Sequence, residues 1–351
     1  MSDLRRDPIS GNWVVISPEE EAGVKLDRFV RFETPREDCP FCPGNERETG
    51  HNILFIPSEN GEADGSSWSL RVIPNRLPVL RTERALEREG IGMFDRITGV
   101  GAHEIIIESP RHDLLLHEFP ERRIARVLTA WRDRVLDLSK DTRLRYISIF
   151  RNQGRRSGAR MSHPHSQLIA TPVIPVGIRG ELSGAREYFE YKERCAFCDL
   201  VDQEREEKVR LVTQNRGFVA FCPFASRNPF EVWILPRVHS HRYETVSADE
   251  ISDLAEVLKQ VAIALAESLL IPDVNVVLKT SPRPKPRRDQ WTTIEEDFHW
   301  HIEVIPRITR FSGYELATGM FVNPTPPESA AAYLRDTLFE VSRRRDDAQD
   351  Q

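Results

Sequence analysis

No run in this chain approaches the roughly 20 consecutive apolar residues needed to cross a bilayer, so no membrane-spanning helix is expected. The N-terminus, Met1-Ser2-Asp3-Leu4-Arg5-Arg6, leads into no apolar stretch of the kind that marks a signal peptide. A soluble, cytoplasmic protein is the expectation. Charge of one sign is also missing: the formal net charge is −6 with 30% charged residues, which gives no global electrostatic case for a nucleic-acid partner. Cysteine is scarce, and its count of five is odd, which argues against a disulfide framework. What is present is length, 351 residues with 39% hydrophobic content, enough to bury a substantial core in about two domains.

Four of the cysteines form two Cys-x-x-Cys pairs, Cys39/Cys42 and Cys195/Cys198, and Cys222 stands alone. A redox motif is the alternative for one such pair, but neither opens a strand-to-helix unit, and histidines downstream favour zinc. Each pair heads the same series of elements. After Cys39-Pro40-Phe41-Cys42 come a strand at 69–76, a strand Glu104–Glu108 ending near His112, a helix around 121–140, a strand Tyr146–Phe150, and a loop into His163-Pro164-His165. After Cys195-Ala196-Phe197-Cys198 come a strand at 211–216 and a strand Glu231–Leu235 ending near His239. A helix opened by a Ser247/Glu250 capping box follows, then a strand Val274–Lys279, a long loop, and His299-Trp300-His301. The spacing from Glu104 to His112 equals that from Glu231 to His239. Six elements in one order indicate a duplication. Alternating strands suit antiparallel sheets covered on one face, so α+β is expected rather than doubly wound α/β.

Structural zinc takes four N or S ligands, and the repeat supplies that set twice: Cys39, Cys42, His112 and His163, then Cys195, Cys198, His239 and His299. The competing reading makes His112 and His239 ordinary surface histidines. Residues i and i+2 of a strand share a face, so a metal-held His163 would keep His165 beside it. A neutral, oriented imidazole can attack phosphorus and form an N–P bond, splitting a transfer into two steps. Its other nitrogen should donate to a fixed acceptor such as a backbone carbonyl. Gln167, on that face again, can donate its amide to a phosphate oxygen, and Gly154 and Gly158 let backbone N–H groups approach phosphate.

At these residues the chain resembles the galactose-1-phosphate uridylyltransferases, the transferase branch of the histidine-triad superfamily. The resemblance runs over nearly the whole length, through Asp7–Glu19, Cys39–Glu46, Arg71–Asn75, Phe150–Gln167, Phe298–His301 and Gly313–Glu315. It implies two related α+β halves, 1–180 and 181–351, sharing one sheet, commonly paired as a homodimer. It implies ping-pong transfer: His165 attacks the α-phosphorus of a nucleotide sugar, hexose 1-phosphate leaves, and a second sugar phosphate takes the nucleotide. By the same resemblance Gln167 binds phosphoryl oxygens, Asn152 and Ser166 help position them, Asn75 contacts the nucleoside, and Glu315 contacts the acceptor sugar. Arg28 and Arg31 fall where basic groups reach toward sugar phosphate.

Three departures shape the substrate expectation. Arg76 follows the nucleoside asparagine where the best-known type has an acidic residue. Arg160 stands in the phosphate loop where a small hydroxyl residue is usual, as a guanidinium clamp or a space filler. Lys279 replaces a histidine that the best-known type uses in a second metal site, and a protonated lysine is a poor ligand, so that version of the site is not expected. Uridylyl transfer between UDP-glucose and galactose 1-phosphate is the first expectation. Adenylyl transfer to phosphate, as in ADP-glucose phosphorylase, is the alternative. A nucleotide hydrolase or a catalytically silent zinc-stabilised module is the remaining one. Trp13, Trp131 and Trp233 are expected to pack in the core, the basic stretch Pro282–Arg288 to be a solvated loop, and Pro327–Arg345 to be a packing helix with a frayed tail beyond it.

Overall fold

The structure, a computed structural model, describes residues 2–18, 32–58, 67–270, 273–283 and 292–349. Arg28, Arg31 and most of the Pro282–Arg288 stretch lie outside the described residues.

The first half contributes strands β1 (Asp3–Arg6), β2 (Trp13–Ile16), β3 (Leu54–Pro57), β4 (Trp68–Pro74), β5 (Arg88–Ile91), β6 (Phe94–Ile97), β7 (Ala102–Ile107), β8 (Tyr146–Gln153) and β9 (His165–Thr171). The second contributes β10 (Leu211–Gln214), β11 (Phe218–Phe221), β12 (Val232–Pro236), β13 (Val274–Lys279), β14 (His301–Pro306) and β15 (Phe321–Asn323). Helices are α1 (Glu121–Leu138), α2 (Val176–Lys192), α3 (Ala196–Glu207), α4 (Ala248–Leu269), α5 (Ile294–Asp297), α6 (Gly313–Thr318) and α7 (Pro327–Gln349).

Ten strands form one antiparallel sheet in the order β10-β11-β12-β14-β13-β8-β9-β7-β4-β3. From each edge to the centre, the strands of each half appear as first, second, third, fifth, fourth in chain order. The duplication read from sequence is therefore a duplication of topology. The halves meet along β8 and β13, with Asn275 opposite Asn152 and Val277 opposite Phe150.

One face of the sheet is closed by α1, α4 and α7. On α1, Ile124, Val127, Leu128, Trp131, Val135 and Leu138 recur at three- and four-residue steps and are buried in one cluster with the strand residues Ile106, Ile149, Leu168 and Val276. The α4 capping box forms as the sequence indicates: Ser247 Oγ accepts from Glu250 N–H, and Glu250 accepts from Ser247 N–H at 2.8 Å. The opposite face carries the two cysteine knuckles and smaller apolar clusters around Phe41 and Phe197.

Two expectations need correcting. Trp13 is 47% exposed, because its neighbours Val14 and Ile16 point inward and strand period two turns position 13 outward. The C-terminal helix also runs on to Gln349 rather than fraying after Arg345. Trp131 and Trp233 are buried as expected. The division between halves is crossed near the ends: β15 pairs in parallel with β2, and Arg5 pairs with Glu328 on α7 at 2.7 Å.

Candidate active site and metal centres

Each knuckle brings its four expected side chains together, with one potential ligand atom per residue and all four atoms within 4.8 Å of one another. In the first set, Cys42 Sγ is 3.3 Å from His112 Nδ1 and 3.6 Å from His163 Nδ1, and Cys39 Sγ is 3.6 Å from His163 Nδ1. The opposite ring nitrogens are committed elsewhere: His163 Nε2 donates to Ser109 O at 2.7 Å, and His112 Nε2 donates to Thr34 O at 2.9 Å. Both rings thus present Nδ1 lone pairs inward while their far nitrogens are tied to backbone carbonyls, which orients them for metal ligation. Burial holds His163 down to about 3, so it is neutral, and pushes the Cys39 thiol up to about 12. A thiol so buried becomes thiolate only beside a cation, and the donor set fits one. In the second set, Cys198 Sγ lies 3.3 Å from His239 Nδ1 and 3.7 Å from His299 Nδ1, and His239 Nε2 donates to Glu295 O at 2.8 Å.

Beyond the first knuckle the chain turns at Pro164 into β9. His165 Nδ1 donates to the carbonyl of His163 at 2.7 Å, which leaves Nε2 as the free lone pair. Nε2 of His165 carries no hydrogen bond among the described residues, and the residue keeps 6% of its exposure where His301 keeps 1%. Burial lowers the ring's pKa, so the imidazole stays neutral near pH 7. Phe41, inside the knuckle, packs on the ring at 5.3 Å.

His301 repeats this posture, its Nδ1 donating to His299 O at 3.1 Å, but its surroundings differ. Trp233 stacks on the ring at 5.2 Å, and Nε2 is buried with no hydrogen-bond partner among the described residues, 3.9 Å from Glu303 Oε1. Two residues on, where the first half has Gln167, the second has Glu303, whose carboxylate would repel a phosphate. Lys279 fills the space instead, donating to Glu303 at 2.7 Å and to Glu181, while Arg227 reaches the other oxygen of Glu303 at 2.9 Å. Lys279 is thus an internal counterion rather than a metal ligand.

The phosphate loop is shaped by both halves. Gly154 adopts φ +87, and a Cβ there would sit 1.8 Å from Asp273 Oδ1. Asp273 Oδ2 accepts from Arg156 N–H at 2.6 Å, and Asn275 Nδ2 donates to Ser157 O at 2.9 Å and Asn152 Oδ1 at 2.8 Å. Asn152, Gly154, His163 and Asp273 line one small cleft. Gln167 is half-buried on the His165 face, and Asn75 is linked to it through His103.

The side chains of other expected site residues are engaged elsewhere or exposed. Ser166 points its side chain to the helical face, where it accepts from Trp131 Nε1 at 2.8 Å and is fully buried, so it cannot position phosphoryl oxygens with its hydroxyl. Strand period two between His165 and Gln167 already carried that signal. Arg76 and Arg160 are exposed, and Glu315 accepts from Ser312 N–H at 2.7 Å, capping its own helix α6. Asp273, Asn275 and His103 were missed by sequence reasoning. The first two lie in the other half, and the last is joined to the site only by cross-strand register.

Residues 1–175 match the family described as galactose-1-phosphate uridyl transferase, N-terminal domain. An ADP-glucose phosphorylase of Arabidopsis thaliana is 32% identical over 344 residues, covering 95% of this chain and 92% of the relative. A galactose-1-phosphate uridylyltransferase of Thermotoga maritima is 29% identical over 348 residues, covering 97% of this chain and all of the relative. Among solved structures, the Arabidopsis ADP-glucose phosphorylase with bound ADP-glucose superposes with a TM-score of 0.79 at 31% identity, covering 95% of this chain and 99% of that one. A uridylyltransferase structure superposes with a TM-score of 0.73 at 28% identity, covering 97% and 99% respectively.

Proposed function

Because this chain belongs to the galactose-1-phosphate uridylyltransferase family, we propose that it moves a nucleotidyl group from a nucleotide sugar to a phosphorylated acceptor through His165. The observation that carries the assignment to His165 is the contrast between the two dyads: Nε2 of His165 has no hydrogen-bond partner among the described residues and shares its strand face with the Gln167 amide, whereas His301 lies stacked under Trp233 beside the Glu303 carboxylate. The Nε2 lone pair forms an N–P bond to the α-phosphorus while the bond to the hexose 1-phosphate oxygen breaks, and that group leaves with the electron pair. An oxygen of the acceptor phosphate then attacks the same phosphorus, the N–P bond breaks, and the imidazole is regenerated. Gln167 is placed to donate to the phosphoryl oxygens as negative charge builds, and the loop from Asn152 to Gly158 to cradle them. The two S₂N₂ sets suit tetrahedral zinc, which would neutralise the thiolates and lock the histidine beside the nucleophile.

Uridylyl transfer from UDP-glucose to galactose 1-phosphate is the first reading. Adenylyl transfer from ADP-glucose to phosphate is the second, favoured by the 32% relative and by Arg76 beside Asn75. A homodimer, as the family resemblance implies, belongs to this reading, and Glu315, placed by resemblance at the acceptor sugar, caps its own helix α6. The test is to incubate the protein with UDP-glucose or ADP-glucose radiolabelled in the nucleotidyl phosphate, quench in alkali, and look for acid-labile label on protein. Label from one donor names the base. Label from neither in the zinc-loaded protein rejects the transferase reading.

A further inference from the structure

His103 sits near the start of β7, on the sheet face that carries Gln167. The register sets Ile105 opposite Gln167 in β9 and opposite Ile73 in β4, so His103 lies beside both Gln167 and Asn75. Its side chain is the junction between them. Val79 N–H donates to His103 Nδ1 at 3.3 Å, so Nδ1 is an acceptor and Nε2 is the ring's donor position. That nitrogen is 3.1 Å from Gln167 Oε1 and 3.0 Å from Asn75 Nδ2. Asn75 cannot turn its amide around, because its Oδ1 accepts from Leu77 N–H at 2.9 Å. A single ring nitrogen cannot donate to Gln167 and accept from Asn75 at the same time. The three residues therefore compete over one proton position.

We propose that His103 is a positioning residue that couples nucleoside recognition at Asn75 to the orientation of Gln167, an inference that rests on the nucleotidyl-His165 reading. With Gln167 Oε1 held by His103 Nε2–H, the Gln167 NH₂ faces away from the ring, and no described residue accepts from it. It is left for a phosphoryl oxygen. When a nucleoside draws the Asn75 N–H toward itself, the competitor for His103 Nε2 is removed and the His103–Gln167 bond is the one that remains. The wrong amide orientation would aim Oε1 at the phosphate and repel it. A nucleotide seated at Asn75 thus aligns the donor that serves its own phosphorus. A histidine that merely packed in the strand would need one satisfied bond, not a contested one between two substrate-facing amides.

The test is a double-substitution cycle on the single-turnover rate at which the donor labels His165, with His103→Phe, Gln167→Ala, the pair together, and His103→Gln as the conservative variant. Zinc content and thermal midpoint are measured on each. Gln167→Ala should slow labelling by about 100-fold. His103→Phe should slow it by about tenfold or more at saturating donor, with little change in the half-saturating donor concentration. His103→Gln, which keeps an N–H for Gln167, should recover part of the rate. In the Gln167→Ala background, His103→Phe should cost nothing further. An equal penalty in both backgrounds, or a change confined to half-saturation, overturns the proposal while leaving the labelled histidine intact. Absence of label on the wild-type protein would overturn the nucleotidyl-His165 reading and this inference with it.

Discussion

His165 and His301 share a backbone posture, so what distinguishes them is the company of the outward nitrogen. His165→Gly should abolish labelling and leave zinc content unchanged, whereas His301→Gln should label to the same stoichiometry as wild type. Label lost in both, or retained in His165→Gly, would remove the assignment. Lys279 carries a different prediction, about stability. Burial alone would push the Glu303 carboxyl up, but Lys279 and Arg227 hold it well below the usual carboxylate range. A depressed folded value contributes stability above the unfolded value of about 4.3 and loses it as pH falls further. Lys279→Met should cost about 3–5 kcal/mol in urea denaturation at neutral pH, because it leaves buried charge unpaired. Its stability should also fall less steeply than wild type as pH drops below about 4. The dyads, the knuckles and Gln167 were legible in sequence because their chemistry is local: fixed spacings along one chain segment. Ser166 was legible too, had strand period been applied to it. The roles of Lys279 and His103 were not, since each depends on which strand lies alongside.

The loop between β8 and β9 shows how a local turn borrows its shape from a distant element. Its positive φ at Gly154 and its contact with Asp273 admit no side chain. Gly154→Ala should lower the labelling rate by about 100-fold or more through displaced phosphate donors, with zinc retained, as measured by quench-flow and metal analysis. A wild-type rate would show that the loop is not part of the site. The helix α4 offers a plainer case: Ser247→Ala removes the cap and should cost about 1 kcal/mol by chemical denaturation. Helix positions and capping were readable because apolar residues recur at helical intervals. Strand order was readable only as repetition, and the exposed Trp13 shows where composition misleads, since an aromatic in a short strand follows its face and not its hydrophobicity.

The ten-stranded sheet joins two copies of one topology, and on the proposed function only the first carries the reacting histidine. Metal analysis should find two zinc per chain. Cys39→Ser should lose one of them together with labelling, and Cys195→Ser should lose the other while His165 still labels. Equal loss of label in both variants would mean that the second knuckle supports the whole sheet rather than its own half. The α+β class and the pairing of halves followed from the repeated motif order, while the swap by which β2 joins β15 did not, because nothing in either segment's composition names its neighbour. The seam has an evolutionary corollary. If His165 alone reacts, His301 is free to serve as a packed ring under Trp233. The strand beside it is not, since Asp273 and Asn275 brace a loop they do not own. On the proposed function, deletion of the second half would remove the braces of the reacting loop, so the doubling acts as a ratchet that substitution can remodel and deletion cannot undo.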